Sequence, residues 1–389
     1  MEKSQLFWQT YLNLEKEVLE VAKYIYIADE ITTYSKGVPT PTNCNTQLET
    51  FSPHIADLLV RTCIEIEAIS KELYFNLGGP KSRGDKKLYF DEDCLKLIDI
   101  KCKTHQKIVM VTCPFFNLTK EENRVFKPLK GAHKRQGADW GKAYQALKHD
   151  RYSSINQGTV KKWLHAMGAL YLLNIYYKNV SFTSKFLEIN EIDFSLGSSI
   201  FSVKQPSYEY IMSSVNNQET TDLLGADESP FILKYTDSHY RQVLDANKTM
   251  QEEMYRYWSS QPELKEPEFI QQIIQAQEKE KNDPQKRCIP LWELAQYRLR
   301  KKIPISLPFE ERKRLLIASP EWNGPILQRA SRLKADEITE ANIQAEIDKA
   351  GMYAGMELQQ RFENIRINKA FREGYCELVL DTGNVRYNK

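Results

Sequence analysis

At 389 residues, with 41% apolar and 27% charged side chains, the chain has the make-up of a globular protein with room for two or three domains, not of a disordered or fibrous one. Its net charge of +2 names no partner, because near-neutrality over a whole chain conceals local patches. No run approaches the roughly 20 apolar residues that span a bilayer, and the first residues lack the apolar core of a signal peptide. Seven cysteines with no C-x-x-C pair read as reduced thiols, so the expected setting is cytoplasmic with no membrane partner.

Phe7, Tyr11, Leu14, Val18, Val21 and Ile25 recur at helical spacing and predict a first helix within 6–28. The Thr-, Pro- and Asn-rich "TTYSKGVPTPTNCNTQLETFSP" reads as a loop. Ser52 and Pro53 occupy the N-cap and first position of a second helix, in which Ile55, Leu59, Thr62, Ile66, Ile69 and Leu73 form one apolar stripe. Glu65 borders that stripe, and Glu67 lies further toward solvent. "NLGGPKSRGDKK" ends the helix, a shorter one is expected around 91–103, and "KIVMVTCPFF" leaves helix and strand both open.

A basic loop, "FKPLKGAHKRQGADWGK", then leads into "QALKHDRYSSIN". Asp139 is placed to cap a helix with Trp140, Tyr144, Leu147 and Arg151 on one face; continued regularly, it puts Arg151 about 20° from Trp140. "TVKKWLHAMGALYLLNIYY" follows, apolar almost all round from Trp163 to Tyr177, which predicts a central, buried helix. Beyond residue 180, "FLEINEIDFSLGSSIFSVKQP" alternates about Gly197 and predicts a hairpin. From 237 onward charged helical segments are punctuated by prolines, and the tail "YCELVLDTGNVRYNK" predicts a last hairpin. The expected fold is mainly α. It comprises a helical bundle over 1–180, a short β and irregular connector over 181–236 with a small β insertion near 186–206, and a helical C-terminal domain over 237–389.

Several chemistries are excluded by spacing. "GGPKSRGDK" would need lysine at position 85 to be a phosphate-binding loop, and Asp85 stands there. The six histidines never pair at i+3 or i+4 and no cysteines have zinc-finger spacing, so neither a metal nor another cofactor is expected. Gly197-Ser198-Ser199 lacks the nucleophile-elbow frame.

The first helix, the second carrying "LLVRTCIEIEAISKELY", the W-x-x-x-Y-x-x-x-K-H-D-R segment from Trp140 to Arg151 and the apolar "WLHAMGALYLLNIYY" come in an order that resembles the HEPN superfamily of helical bundles. The likeness spans residues 1 to about 180; the C-terminal half carries none. It implies an RNA-directed protein of the toxin–antitoxin, antiviral-defence or stress kind, acting as a homodimer through the bundle. It also implies metal-independent endoribonuclease chemistry, in which a histidine moves protons and an arginine four to six residues before it neutralises the phosphorane. None of the six histidines here has an arginine at that distance, so only the motif's position carries over.

His149, Arg151 and His165 are therefore the catalytic candidates, and Lys134, Arg135, Lys142 and Lys148 the candidate contacts to an RNA backbone. A structural reading competes with this one: Arg151 faces the core and forms a buried salt bridge with Glu65. In that version the protein is a non-catalytic scaffold or dimerisation module, with a protein partner bound through the C-terminal domain.

Overall fold

Ser52 and Pro53 start a 24-residue helix as their chemistry dictates: the serine hydroxyl accepts the Ile55 amide at 3.1 Å, and the proline sits where no amide is needed. All six residues of the expected stripe are buried. A computed structural model describes this helix and the rest of residues 2–35, 38–43, 45–135, 137–206, 226–283, 288–330 and 333–382. Helix makes up 62% and strand 8%, in small antiparallel sheets, so the fold is mainly α.

The chain divides into two units, Met1–Tyr235 with Tyr375–Lys389, and Thr236–Gly374. In the first, α1 (Lys3–Val21), α2 (Asn45–Leu48), α3 (Pro53–Asn76), α4 (Lys96–Cys102), α5 (Glu121–Arg124), α6 (Asp139–His149), α7 (Arg151–Ser154) and α8 (Val160–Lys178) succeed one another. Helix α8 is the centre, as its sequence requires: it packs on α1, α3 and α6, and from Trp163 to Tyr176 only His165 escapes full burial. Thr159 caps its start by accepting the Lys162 amide at 3.4 Å, and Asn179, in the left-handed region, ends it. The Trp163 indole donates to Thr62 Oγ1 at 3.2 Å, which pins α8 to α3 inside an otherwise apolar contact.

The strands depart most from expectation. Residues expected as a loop form an antiparallel pair, β1 (Glu30–Ser35) with β2 (Val38–Asn43), in register Thr32↔Pro41 and Tyr34↔Pro39. Proline is tolerated there because both strands of a two-stranded sheet are edges. "KIVMVTCPFF" resolves to strand: β3 (Val109–Val111) lies between β4 (Val125–Phe126) and β6 (Phe201–Val203). The expected hairpin over 186–206 therefore does not form; its second half pairs with β3 while Phe186–Glu191 makes 3-10 turns.

A third sheet holds β5 (Phe182–Lys185), β7 (Phe231–Tyr235) and β8 (Tyr375–Leu380) in the order β5-β8-β7. The tail thus supplies a central strand to the first unit, and the far half of its expected hairpin lies outside the described residues. Asp381, just past β8, forms a fully buried ion pair with Lys107 at 2.6 Å.

The second unit contains α9 (Asp237–Ser259), α10 (Pro267–Asn282), α11 (Pro290–Lys302), α12 (Phe309–Ala318), α13 (Pro325–Arg329), α14 (Ile343–Ile365) and α15 (Ile367–Glu373). Pro267, Pro290 and Pro325 each open a helix. Gly351 and Gly355, one turn apart on α14, let its backbone approach Gln296 and Trp292 of α11; a Cβ at either would come within 2.6 Å of main chain. Leu299, Leu316, Trp322, Ile343 and Ile347 form the core beside that contact.

Candidate nucleic-acid interface

The basic loop between β4 and α6 is a chain of tight turns. The amides of Lys130, Ala132, Lys134 and Gly137 each donate to the carbonyl three residues back, at 2.9–3.1 Å. Gly131 has φ +73°, and a Cβ on Gly137 would lie 1.9 Å from the Gly131 carbonyl oxygen, so both glycines are required for closure. Leu129 and Ala132 are buried beneath, and the Trp140 indole donates to the Pro128 carbonyl at 2.9 Å. Sequence thus builds a loop anchored from inside that carries Lys130, Lys134 and Arg135 outward, all three exposed. Beyond these main-chain bonds, no side-chain hydrogen bond or ion pair joins any of the three to another described residue. Lys134 and Arg135 line a small cleft together with Phe90, Asp91, Trp140 and Gln145.

The other candidates fall elsewhere. Lys142 pairs with Asp139 at 3.0 Å along an exposed turn. Asp139 does not cap α6; Ala138 holds the N-cap position, without a side-chain bond, and Asp139 contributes charge in the first turn. Lys148 lies 3.8 Å from Glu67 and above the Tyr144 ring.

The expected Glu65–Arg151 bridge is not formed. Helix α6 ends at His149, and Asp150, at φ −147° and ψ 81°, redirects the chain and caps α7 by accepting the Ser153 amide at 3.2 Å. Arg151 therefore leaves the aromatic face: its side chain is 53% exposed and sits 3.6 Å from Asp57. Glu65 stays half-buried, its carboxyl raised by desolvation with Arg61 opposing. The acid that does reach α6 is Glu67, which accepts the Tyr144 hydroxyl at 2.9 Å. Burial, then the Glu67 charge, raises the Tyr144 phenol.

His149 is exposed at the end of α6. His165 stacks on Phe126 with ring centroids 4.2 Å apart, and burial lowers it to about 4, with Lys161 adding and Asp139 opposing. Among the described residues His149, Arg151 and His165 share no hydrogen bond or ion pair.

A constellation the sequence did not single out lies beside the loop. Helix α4 ends in a left-handed Lys103 (φ 49°), which folds the next residues back onto Asp99. The Asp99 Oδ1 accepts the Thr104 hydroxyl at 3.1 Å, the His105 amide at 2.7 Å and the His105 Nδ1 at 2.8 Å. From the basic loop, His133 brings its Nδ1 to 3.5 Å from Asp99 Oδ2. The only local sign in "DIKCKTH" is a polar pair just after a short helix. No spacing rule joins it to a histidine on another loop.

A different run of cations, "RLRKK" at 298–302 on α11, is braced internally. Arg298 donates to both carboxylate oxygens of Glu263 at 2.8 and 2.9 Å, Arg300 pairs with Asp348 at 2.6 Å, Lys301 with Glu266 at 2.8 Å and Lys302 with Glu321 at 2.6 Å. Among the described residues no group of histidine, cysteine and carboxylate side chains could hold a metal ion, and no helix is long and apolar enough to cross a membrane. No protein-family model, curated protein or solved structure matches this chain.

Proposed function

We propose that the first unit is an HEPN-like, RNA-directed module that holds a phosphate backbone on the loop carrying Lys130, Lys134 and Arg135. One contrast carries this reading. The cations of 298–302 are matched by acids within their own unit, whereas these three project from a preorganised loop without an acidic partner among the described residues. Cations held ready and uncompensated serve a polyanion, since binding releases counterions without first breaking internal pairs. The order of α1, α3, α6 and α8 supports the HEPN-like assignment, and with it homodimerisation through the bundle and a defence or stress role belong to the same proposal.

The test is titration of the full chain into a labelled single-stranded RNA at several salt concentrations. Affinity is expected to fall steeply with salt. The Lys134→Glu, Arg135→Glu variant is expected to weaken binding roughly tenfold or more and to flatten the salt slope by about two. A chain that leaves RNA unbound at low salt overturns the proposal and favours the alternative, a helical scaffold for a protein partner.

A further inference from the structure

We infer that the small cleft lined by Lys134 and Arg135 seats one unstacked base of the bound strand and selects guanine there; this rests on the RNA-directed reading above. The rest of its lining includes the start of a π-helix, Phe90–Leu95, and the first turns of α6. Phe90 is half-buried and held edge-on to Tyr144, ring centroids 6.4 Å apart, which fixes an aromatic surface for stacking. Asp91 Oδ1 accepts the Glu92 amide at 2.9 Å, and no other hydrogen bond or ion pair joins this carboxylate to a described residue. Gln145, half-buried on α6, has no side-chain hydrogen bond to a described residue. Gly141 lines the same cleft from the first turn of α6. A Cβ there would meet nothing within 4 Å, and its φ is not left-handed, so neither packing nor backbone conformation calls for glycine. Inside a helix glycine costs up to about 1 kcal/mol relative to alanine. What a bare backbone provides at this place is room for the close approach of a ligand.

The polar groups choose among the bases. A carboxylate only accepts hydrogen bonds, through two oxygens set side by side. Guanine alone offers two donors side by side, N1–H and the N2 amino group, and both reach the lone pairs that Asp91 has left over. Adenine and cytosine place a ring-nitrogen acceptor beside their amino group, and uracil flanks its single N–H with two carbonyls. Each of these sets a lone pair against the carboxylate. The Gln145 amide donates to the guanine O6. Phe90 supplies a stacking surface that suits every base, and Lys134 and Arg135 hold the neighbouring phosphates. Affinity therefore comes from the ring and the cations, and selectivity from Asp91 and Gln145. A cleft this small admits the edge of one base and not a paired helix, so the ligand is single-stranded RNA.

The full chain is titrated with a labelled oligouridine carrying one central guanosine, and with matching strands that carry adenosine, cytidine, uridine or inosine at that place. The guanosine strand is expected to bind about tenfold more tightly than the adenosine, cytidine and uridine strands. Inosine, which lacks the N2 amino group, should fall between them. Asp91→Asn keeps the side chain's shape and turns one acceptor into a donor. It should bring the guanosine strand within about twofold of the others, while plain oligouridine stays within about threefold of its parent affinity. Gly141→Leu fills the cleft and should erase the discrimination in the same way; should it fail to fold, Gly141→Ala replaces it, judged by the same ratio. Equal binding whatever the central base, or a preference for another base, overturns the guanine site and leaves the binding reading standing. A guanine preference that survives in Asp91→Asn also overturns the assignment. RNA not bound at all overturns both.

Discussion

Lys107 and Asp381 meet at 2.6 Å with both side chains wholly withdrawn from solvent, so the end of the described chain is fastened to the core of the first unit by charge. Lys107 also donates to the Asp227 carbonyl at 3.0 Å. Removing one partner of such a pair strands the other in a low-dielectric interior, which typically costs about 3–5 kcal/mol, whereas replacing both by apolar groups is often neutral. Asp381→Ala is therefore expected to lower unfolding free energy by about that amount, and Lys107→Met with Asp381→Leu to recover most of it. Urea denaturation of the three proteins decides the matter: equal losses in the single and double variants would show that the charge is not what fastens the tail.

The pairing of Tyr235 with Cys376 leads to a second expectation. These residues are register partners in β7 and β8, yet Thr236–Gly374, the whole second unit, lies between them in sequence. That unit is inserted at the tip of a hairpin, and a two-residue turn closes such a tip. Replacing Thr236–Tyr375 by Asn-Gly should leave a first unit that melts cooperatively with its helical content intact. Truncation after Gly374 should abolish that transition, because it removes the middle strand of a sheet. A non-cooperative melt of the turn-closed protein would mean that the first unit depends on the insertion.

Elements signalled by neighbours in sequence were legible. The Ser52–Pro53 start, the α3 stripe and the apolar α8 rest on caps and periodicity; the stripe is buried throughout, and α8 is buried from Trp163 to Tyr176 apart from His165, with Tyr177 half-buried. What failed depended on partners far along the chain or on a break in periodicity. Strand β8 has β5 and β7 as neighbours, which no local pattern announces. Helical phase turns Arg151 inward only if α6 runs on through Asp150, and that residue's carboxylate is a better cap than a helical interior residue. Asp99, His105 and His133 escaped because a left-handed turn and a separate loop bring them together, and ligand spacings are defined for continuous elements.

His165 makes acid stability a test of the bundle. Its imidazole is held at about 4, below the ordinary 6.5, so the unfolded chain takes up the proton first. The sign follows: the neutral ring's contribution is complete above about pH 6.5 and fades as pH falls toward 4, a change of about 3 kcal/mol over that window. His165→Phe preserves a ring against Phe126 and has nothing to protonate. Its stability should fall less steeply between pH 7 and 4 than that of the parent. Asp29 adds a separate loss in strong acid, since its carboxyl, accepting bonds from Asn123, Thr119 and Lys120, is lowered against its desolvation, so the comparison must be made between the two proteins. Parallel curves would remove His165 from the account.

Arg151 and Glu67 exchange the importance that helical phase would assign them. Arg151 is more than half exposed and meets Asp57 at 3.6 Å, a surface pair of the kind worth about 0–1 kcal/mol, and Arg151→Ala should cost no more than that. Glu65→Ala should likewise leave stability nearly unchanged or slightly raised, because its carboxyl is desolvated and only partly offset by Arg61. Glu67→Ala is different. It takes the acceptor from the Tyr144 hydroxyl, whose side chain lies against the core at 2% exposure, and an unsatisfied buried hydroxyl costs about 1–3 kcal/mol. Tyr144→Phe removes donor and orphan together, so the double variant with Glu67→Ala should be more stable than Glu67→Ala alone. Thermal melts of these variants separate the two arrangements: a loss of several kcal/mol in Arg151→Ala would restore the inward-facing guanidinium, and a small one with a clear loss in Glu67→Ala places the α3–α6 link at the tyrosine.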